Sequence, residues 1–116
     1  ELLPQADVLS LHCLLTDETR DLIGARELKM MKPDSLLINT SRGGLVNEQA
    51  LADALRAGEI GGAGFDVLTE EPPRNGNPLL ADDIPNLIMT PHSAWASREA
   101  RQRIVGITAV NLKSVL

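Results

Sequence analysis

Three polar side chains lie just beyond short aliphatic runs: Arg42 in LLINTSRGG, Glu71 in GGAGFDVLTEEPP and His92 in NLIMTPHSAW. Their types suit one chemistry. A guanidinium grips a carboxylate through two parallel hydrogen bonds. A carboxylate beside an imidazole fixes the ring tautomer and favours the imidazolium. That imidazolium gives a proton to an oxygen that is becoming an alkoxide. Together the three groups would hold a 2-oxo or 2-hydroxy acid and move a proton on or off its oxygen. Asp66, at the end of the glycine-rich run, adds an acceptor suited to an amide-bearing cofactor. Taken singly, each residue has an ordinary explanation. Arg42 reads as a surface arginine at a strand–helix turn, Glu71 as a solvated acid in a proline loop, and His92 as a satisfied histidine after Pro91. Asp66 reads as a strand-end turn residue.

The elements that must position these groups alternate along the chain. Asp7 to Leu11 is a short β-like run, and Thr16 to Arg20 is a polar loop. Ala25 to Met31 predicts a helix stopped by Pro33. Leu36 to Ile38 predicts a buried strand. Asn47 to Ala57 predicts the best-marked helix: Asn47 is an N-cap, Glu48 complements the first-turn dipole, and Gly58 suits the C-terminal cap. Leu51, Ala54 and Leu55 form its apolar face. Gly62 to Val67 predicts a strand whose small residues admit close backbone approach. Thr69 to Asn86 holds four of the seven prolines and predicts a loop, with one turn at Pro78 to Leu80. Leu87 to Met89 predicts a last strand. Ser97 caps a long helix running to about Leu112 or the chain end. That helix carries two adjoining apolar stripes: Ala100, Ile104 and Ile107, then Val105, Ala109, Leu112 and Leu116. A stripe that wide predicts contact with more than one body. The order β-α-β-α-β-loop-β-α implies an α/β fold with a parallel sheet and right-handed crossovers. Continuous aliphatic strands imply burial on both faces. Ligands then bind beyond the carboxyl ends of the strands, where the three polar groups stand.

The 116 residues amount to one domain, able to bury roughly two thirds of the unfolded surface. Apolar residues make up 43% and charged residues 23%, close to average. With Phe65 and Trp95 as the only aromatics, the core must be aliphatic. A net charge of −5 argues against a nucleic-acid surface, which needs clustered Lys and Arg. Arg98, Arg101 and Arg103 read as a solvated helix face. Cys13 is the only cysteine, so an internal disulfide and a cysteine-rich zinc site are excluded, and no metal site is expected. The single thiol fits a reducing cytoplasm. No apolar run is long enough to span a bilayer, and no signal peptide is visible. The chain starts at Glu1 without an initiator Met, which points to a piece of something longer.

Rival chemistries fit less well. A serine nucleophile beside His92 would be Ser41 or Ser93, but no G-x-S-x-G turn exists. His12 and Cys13 are adjacent, and neighbours on a strand point to opposite faces. Gly61, Gly62 and Gly64 precede a strand and miss the G-x-G-x-x-G spacing, and Gly43-Gly44 makes no complete phosphate loop either.

The segments DVLSLHCLLTDETRDLIG, MKPDSLLINTSRGGLVNEQALADALRAGEI, GAGFDVLTEEPP, NPLL and NLIMTPHSAWAS occur in the order and spacing of one family. The chain resembles the second half of the nucleotide-binding domain of a D-isomer-specific 2-hydroxyacid dehydrogenase, over essentially all its residues. EEPPRNGNPLL and PHSAWASREARQR most resemble the glycerate dehydrogenase (hydroxypyruvate reductase) branch. The resemblance implies an incomplete, Rossmann-like NAD(P)-binding domain and hydride transfer between NAD or NADP and a small 2-oxo or 2-hydroxy acid such as hydroxypyruvate, glyoxylate or glycerate. It implies Arg42 as the substrate-binding arginine and Glu71 with His92 as the acid–imidazole pair, His92 being the general acid/base. It places Asp66 near the nicotinamide carboxamide. Cys13, Thr40, Ser41, Arg42, His92, Ser93 and Ala94 would line the cofactor, and Trp95 would border the substrate or, on an equal reading, pack in the core. Many relatives have proline where this chain has Leu14. The family's phosphate loop, its ribose-reading acid and most of a substrate domain would lie upstream of Glu1, so the fragment alone is expected to be inactive. The last helix would pack on that substrate domain or on a partner subunit of a homodimer. Two other readings stay open: a dinucleotide-regulated corepressor module of the same family, and a self-associating non-catalytic fragment.

Overall fold

The computed structural model describes residues 1–115. Strand β1 spans Val8–Leu11, helix α1 Ala25–Met30, strand β2 Leu36–Asn39 and helix α2 Glu48–Ala57. Strand β3 spans Gly62–Phe65, strand β4 Leu87–Met89 and helix α3 Arg98–Lys113. Single helical turns occur at Leu3–Gln5, Gly43–Leu45 and Pro78–Leu80. The four strands form one parallel sheet in the order β1-β2-β3-β4.

The helix boundaries follow local chemistry. Asn47 caps α2 by accepting from Ala50 N–H at 2.9 Å. Gly58 closes it in the left-handed conformation at φ +67, which a glycine adopts without a Cβ penalty. Helix α1 ends one residue before the expected Met31, whose backbone is already extended. Strand β3 stops at Phe65 rather than Val67. Its neighbour β2 ends at Asn39, and only Asp66 N–H still reaches Asn39 O, at 3.0 Å.

Side-chain alternation sorts the sheet into two faces. Leu37, Asn39, Ala63 and Phe65 are buried, with Leu37 paired to Ala63 and Asn39 to Phe65. Leu37, Ala63 and Phe65 join Leu28, Leu45, Leu51, Leu55 and Ile60 in a hydrophobic core. The other face presents Val8, Leu36 and Ile88 to solvent, at 57%, 42% and 71% exposure. The expectation of two covered faces therefore holds for one. Every step from strand to strand advances the same way across the sheet. Right-handed crossovers then put α1 and α2 on one side.

Helix α3 departs from the sequence reading in its surroundings. Its cap is as expected, with Ser97 Oγ accepting from Ala100 N–H at 3.1 Å. Yet no residue of the helix is buried, and Ile104, Val105, Ile107, Val110 and Leu112 are exposed. Arg98, Arg101 and Arg103 are exposed as expected. Leu116, the last member of the apolar stripe, lies outside the described residues. No helix among the described residues is long and apolar enough to cross a membrane.

Candidate functional site

A parallel sheet puts the carboxyl ends of all its strands at one edge, so the loops after β1, β2, β3 and β4 meet there. Asn39, fully buried at the end of β2, shapes the Arg42 loop. Its Oδ1 accepts from Ser41 N–H at 3.0 Å, and its Nδ2 donates to Arg42 O at 2.9 Å. Ser41 Oγ donates to Cys13 O at 2.9 Å and ties this loop to the one after β1. The Arg42 side chain is exposed, with Nη1 donating to Ser41 O at 2.7 Å.

Gly43 joins the Arg42 loop to the Glu71 loop. A Cβ at Gly43 would lie 2.0 Å from the carbonyl carbon of Leu68 and 2.3 Å from Thr69 N. The two backbones approach so closely that no side chain fits between them.

Glu71 and His92 are in direct contact. Glu71 Oε2 lies 2.5 Å from His92 Nδ1, and Glu71 Oε1 accepts from Leu68 N–H at 2.8 Å. Burial pushes the Glu71 carboxyl up. The hydrogen bonds from His92 and Leu68 N–H and the charge of His92 outweigh burial, so its pKa lies below the ordinary value. With Nδ1 committed to Glu71, Nε2 is the His92 atom free to exchange a proton.

His92 itself sits at φ +50, in the left-handed region. A non-glycine residue there costs on the order of 1–3 kcal/mol and needs support from its surroundings. Asp66, 3% exposed, provides it. Asp66 Oδ1 accepts from Thr90 Oγ1 at 2.5 Å and Ser93 N–H at 2.8 Å, and Oδ2 accepts from Ala94 N–H at 2.8 Å. Trp95 Nε1 donates to His92 O at 2.9 Å. Burial raises the Asp66 pKa, but these hydrogen bonds and the His92 charge prevail and leave it lowered.

Two hollows result. One of about 240 Å³ is walled by Asp66, Leu68, Glu71, Pro72, Thr90 and His92. The other, about 350 Å³, lies between His12, Cys13, Leu14, Leu15, Ser41 and Arg42. The second combines the apolar Leu14 and Leu15 with a guanidinium and a thiol, a lining that fits a flat heteroaromatic ring carrying an amide. Thr40, next to Ser41 in the chain, is exposed.

The structure thus joins Glu71 to His92 and sets the Arg42 loop against the Glu71 loop, while the Arg42 guanidinium rests on its own loop. Asp66 anchors the loop of His92, Ser93 and Ala94, a part that its type and position in the sequence did not reveal. Trp95 is 54% exposed and braces His92 through its indole N–H. Sequence reasoning missed Asn39 and Thr90. Asn39 carried a signal, a polar residue closing an aliphatic strand, whereas Thr90 carried none. His12 Nε2 lies 2.8 Å from Ser10 Oγ, on the same side of the strand, and makes no hydrogen bond to Cys13. Among the described residues no cluster of three His, Cys, Asp or Glu could hold a metal.

The family model for the D-isomer specific 2-hydroxyacid dehydrogenase NAD binding domain matches residues 1–94. The chain is 59% identical over 101 residues to a glycerate dehydrogenase of Methylorubrum extorquens, covering 87% of this chain and 32% of that protein. Among solved structures it is similar to an acyclic imino acid reductase in complex with NADPH and D-Arg, at TM-score 0.88 and 38% identity, covering 98% of this chain and 36% of that one. It is also similar to the NAD-complexed D-isomer specific 2-hydroxyacid dehydrogenase of Lactobacillus delbrueckii ssp. bulgaricus. There the TM-score is 0.83 and the identity 38%, over 98% of this chain and 39% of that one. The chain spans about a third of the length of these proteins.

Proposed function

The chain belongs to the D-isomer specific 2-hydroxyacid dehydrogenase family, and from that premise we propose that it forms the acid–base and carboxylate-binding side of an active site that interconverts a small 2-oxo acid and its 2-hydroxy acid. The contact between Glu71 and His92, with His92 Nε2 left open, carries the reading. The family domain binds NAD. In this chain the hollow of Cys13, Ser41 and Arg42, with Thr40 beside it in sequence and the His92, Ser93 and Ala94 turn, would hold the nicotinamide end. When bound, the reduced dinucleotide supplies a hydride to the C2 carbonyl carbon.

The chain's own residues do the rest. Arg42 swings from Ser41 O to the substrate carboxylate, which it meets with two parallel N–H donors. This fixes the carbonyl and orients it toward His92. As C2 accepts the hydride, negative charge builds on its oxygen, and the imidazolium gives that oxygen its Nε2 proton. Glu71 holds Nδ1–H throughout and so stabilises the charged ring before transfer. In the oxidative direction neutral Nε2 takes the hydroxyl proton back. Trp95 would border the substrate from beside His92. The similarity to a glycerate dehydrogenase favours glycerate and hydroxypyruvate as the pair. We place the chain in the C-terminal part of the NAD(P)-binding domain of a homodimeric enzyme.

The test is steady-state kinetics on the full-length protein with hydroxypyruvate and reduced dinucleotide. His92→Gln should lower kcat by about 10²–10⁴-fold, the span typical of general acid–base catalysis. Arg42→Ala should raise KM for the 2-oxo acid and lower kcat. Wild-type kinetics in either variant would remove that residue from the mechanism. The 116-residue chain alone should give no turnover in the same assay.

A further inference from the structure

Glu48 opens α2, where an acid complements the helix dipole. Its carboxylate also reaches across to the loop between β3 and β4. Oε1 accepts from Thr69 N–H at 2.7 Å, and Oε2 accepts from Asn77 Nδ2 at 2.8 Å. The partners lie 21 and 29 residues away in sequence and stand on either side of Glu71. Between them, Asn75 Nδ2 donates to Glu70 Oε1 and Oε2 at 3.1 Å, which folds the loop on itself. On the near side, Gly43 presses against Leu68 and Thr69. An acid serving only the dipole would need no partners but water.

We propose that Glu48 is a positioning residue, which locks the Thr69–Asn77 segment onto the start of α2 and so holds Glu71 against His92. The proposal rests on the reading of Glu71 and His92 as the acid–base pair. Hydrogen bonds to an ionised carboxylate are about twice as strong as neutral ones, so one side chain suffices to hold a loop of this length. Glu48 lines neither hollow of the site. Its loss therefore acts on the placement of Glu71 and leaves the walls that receive cofactor and substrate in place.

The experiment uses the full-length dehydrogenase carrying this chain. Glu48→Ala should lower kcat for 2-oxo acid reduction about tenfold or more, since displacements of about an ångström have such effects. KM for the dinucleotide should stay near wild type. Glu48→Gln keeps an acceptor for Thr69 N–H but turns its NH₂ toward Asn77 Nδ2, so it should recover part of the loss, which a general destabilisation would not predict. Asn77→Ser leaves Glu48 intact and keeps a cap for Leu79 N–H. It should give a smaller loss of the same kind, and it decides the matter if Glu48→Ala does not fold. By NMR, the low-field Nδ1 proton signal of His92 should weaken in the alanine variant and return in part in the glutamine variant. Wild-type kcat with an unchanged His92 signal in the folded alanine variant, or in Asn77→Ser, overturns the proposal. So does an alanine effect that glutamine does not relieve even in part. His92→Gln is run alongside. Full activity there sinks the acid–base reading itself, whereas loss there with no effect at Glu48 sinks only the positioning role.

Discussion

Asp66 accepts hydrogen bonds from Thr90, Ser93 and Ala94 while almost fully buried, and through them it holds His92 in its left-handed turn. An amide in its place would set an NH₂ group against backbone N–H donors. A buried donor left without a partner costs about 1–3 kcal/mol, so Asp66→Asn should destabilise by about that amount in urea denaturation at pH 7. The same carboxylate fixes the sign of a pH effect. Its folded pKa is lowered from an ordinary value of 3.8. Its stabilisation is thus complete above the unfolded pKa and is lost as pH falls through the lower folded one. Glu71, lowered from 4.5, acts in the same direction. The wild-type protein should lose stability on acidification below about pH 4. Asp66→Asn should start lower and show a shallower acid limb, because one of the contributing carboxylates is gone. An unchanged acid limb in that variant would show that Asp66 does not carry the effect.

Between elements, the decisive contact is the backbone of Gly43 against Leu68 and Thr69, which sets the Arg42 loop beside the Glu71 loop. Gly43→Ala would drive a Cβ to 2.0 Å from a carbonyl carbon, a clash that only a backbone shift can relieve. Overpacking of this kind costs about 1–3 kcal/mol and sometimes more, and here the shift would also separate the two halves of the site. The expected result is a lower denaturation midpoint together with reduced kcat. Gly106→Ala is the control. Its Cβ would meet nothing within 4 Å, and alanine favours a helix interior by about 1 kcal/mol, so stability should rise. Equal effects at both positions would discount the loop contact. This contact also marks where the sequence stops being legible. The strands, α2 with its Asn47 and Gly58 caps, and the Ser97 cap of α3 could all be read from it, because periodicity and capping act over a few neighbours. The site was legible to the extent that Arg42, Glu71 and His92 follow strands. The reach of Glu48 to Thr69 and Asn77, the anchor formed by Asp66 and Thr90, and the packing of Gly43 join residues about 20 or more positions apart. No local pattern encodes such pairs.

At the scale of the whole molecule, the sheet and α3 leave apolar surface that this chain does not cover. The open face carries Val8, Leu36 and Ile88, and its glycines Gly62 and Gly64 leave a groove between Leu36, Ile38 and Ile88. Helix α3 adds Ile104, Val105, Ile107, Val110 and Leu112, all more than half exposed. Apolar surface exposed to this extent on a small protein favours association. Charge points the same way. Helix α3 holds Arg98, Arg101, Arg103 and Lys113 against Glu99 alone, while the whole chain carries a net −5, so the helix is basic and the body acidic. Two copies gain both apolar burial and attraction by seating the helix of each on the body of the other. The 116-residue chain on its own should therefore self-associate, with a mass in sedimentation that rises with concentration. Ile104→Asp with Ile107→Asp puts two carboxylates on the apolar stripe of α3 and should shift the chain toward monomer. Added salt should weaken association less than those substitutions do, because screening removes the attraction but not the apolar contact. A chain that sediments as a monomer across the concentration series would show that the exposed helix and sheet face do not find each other.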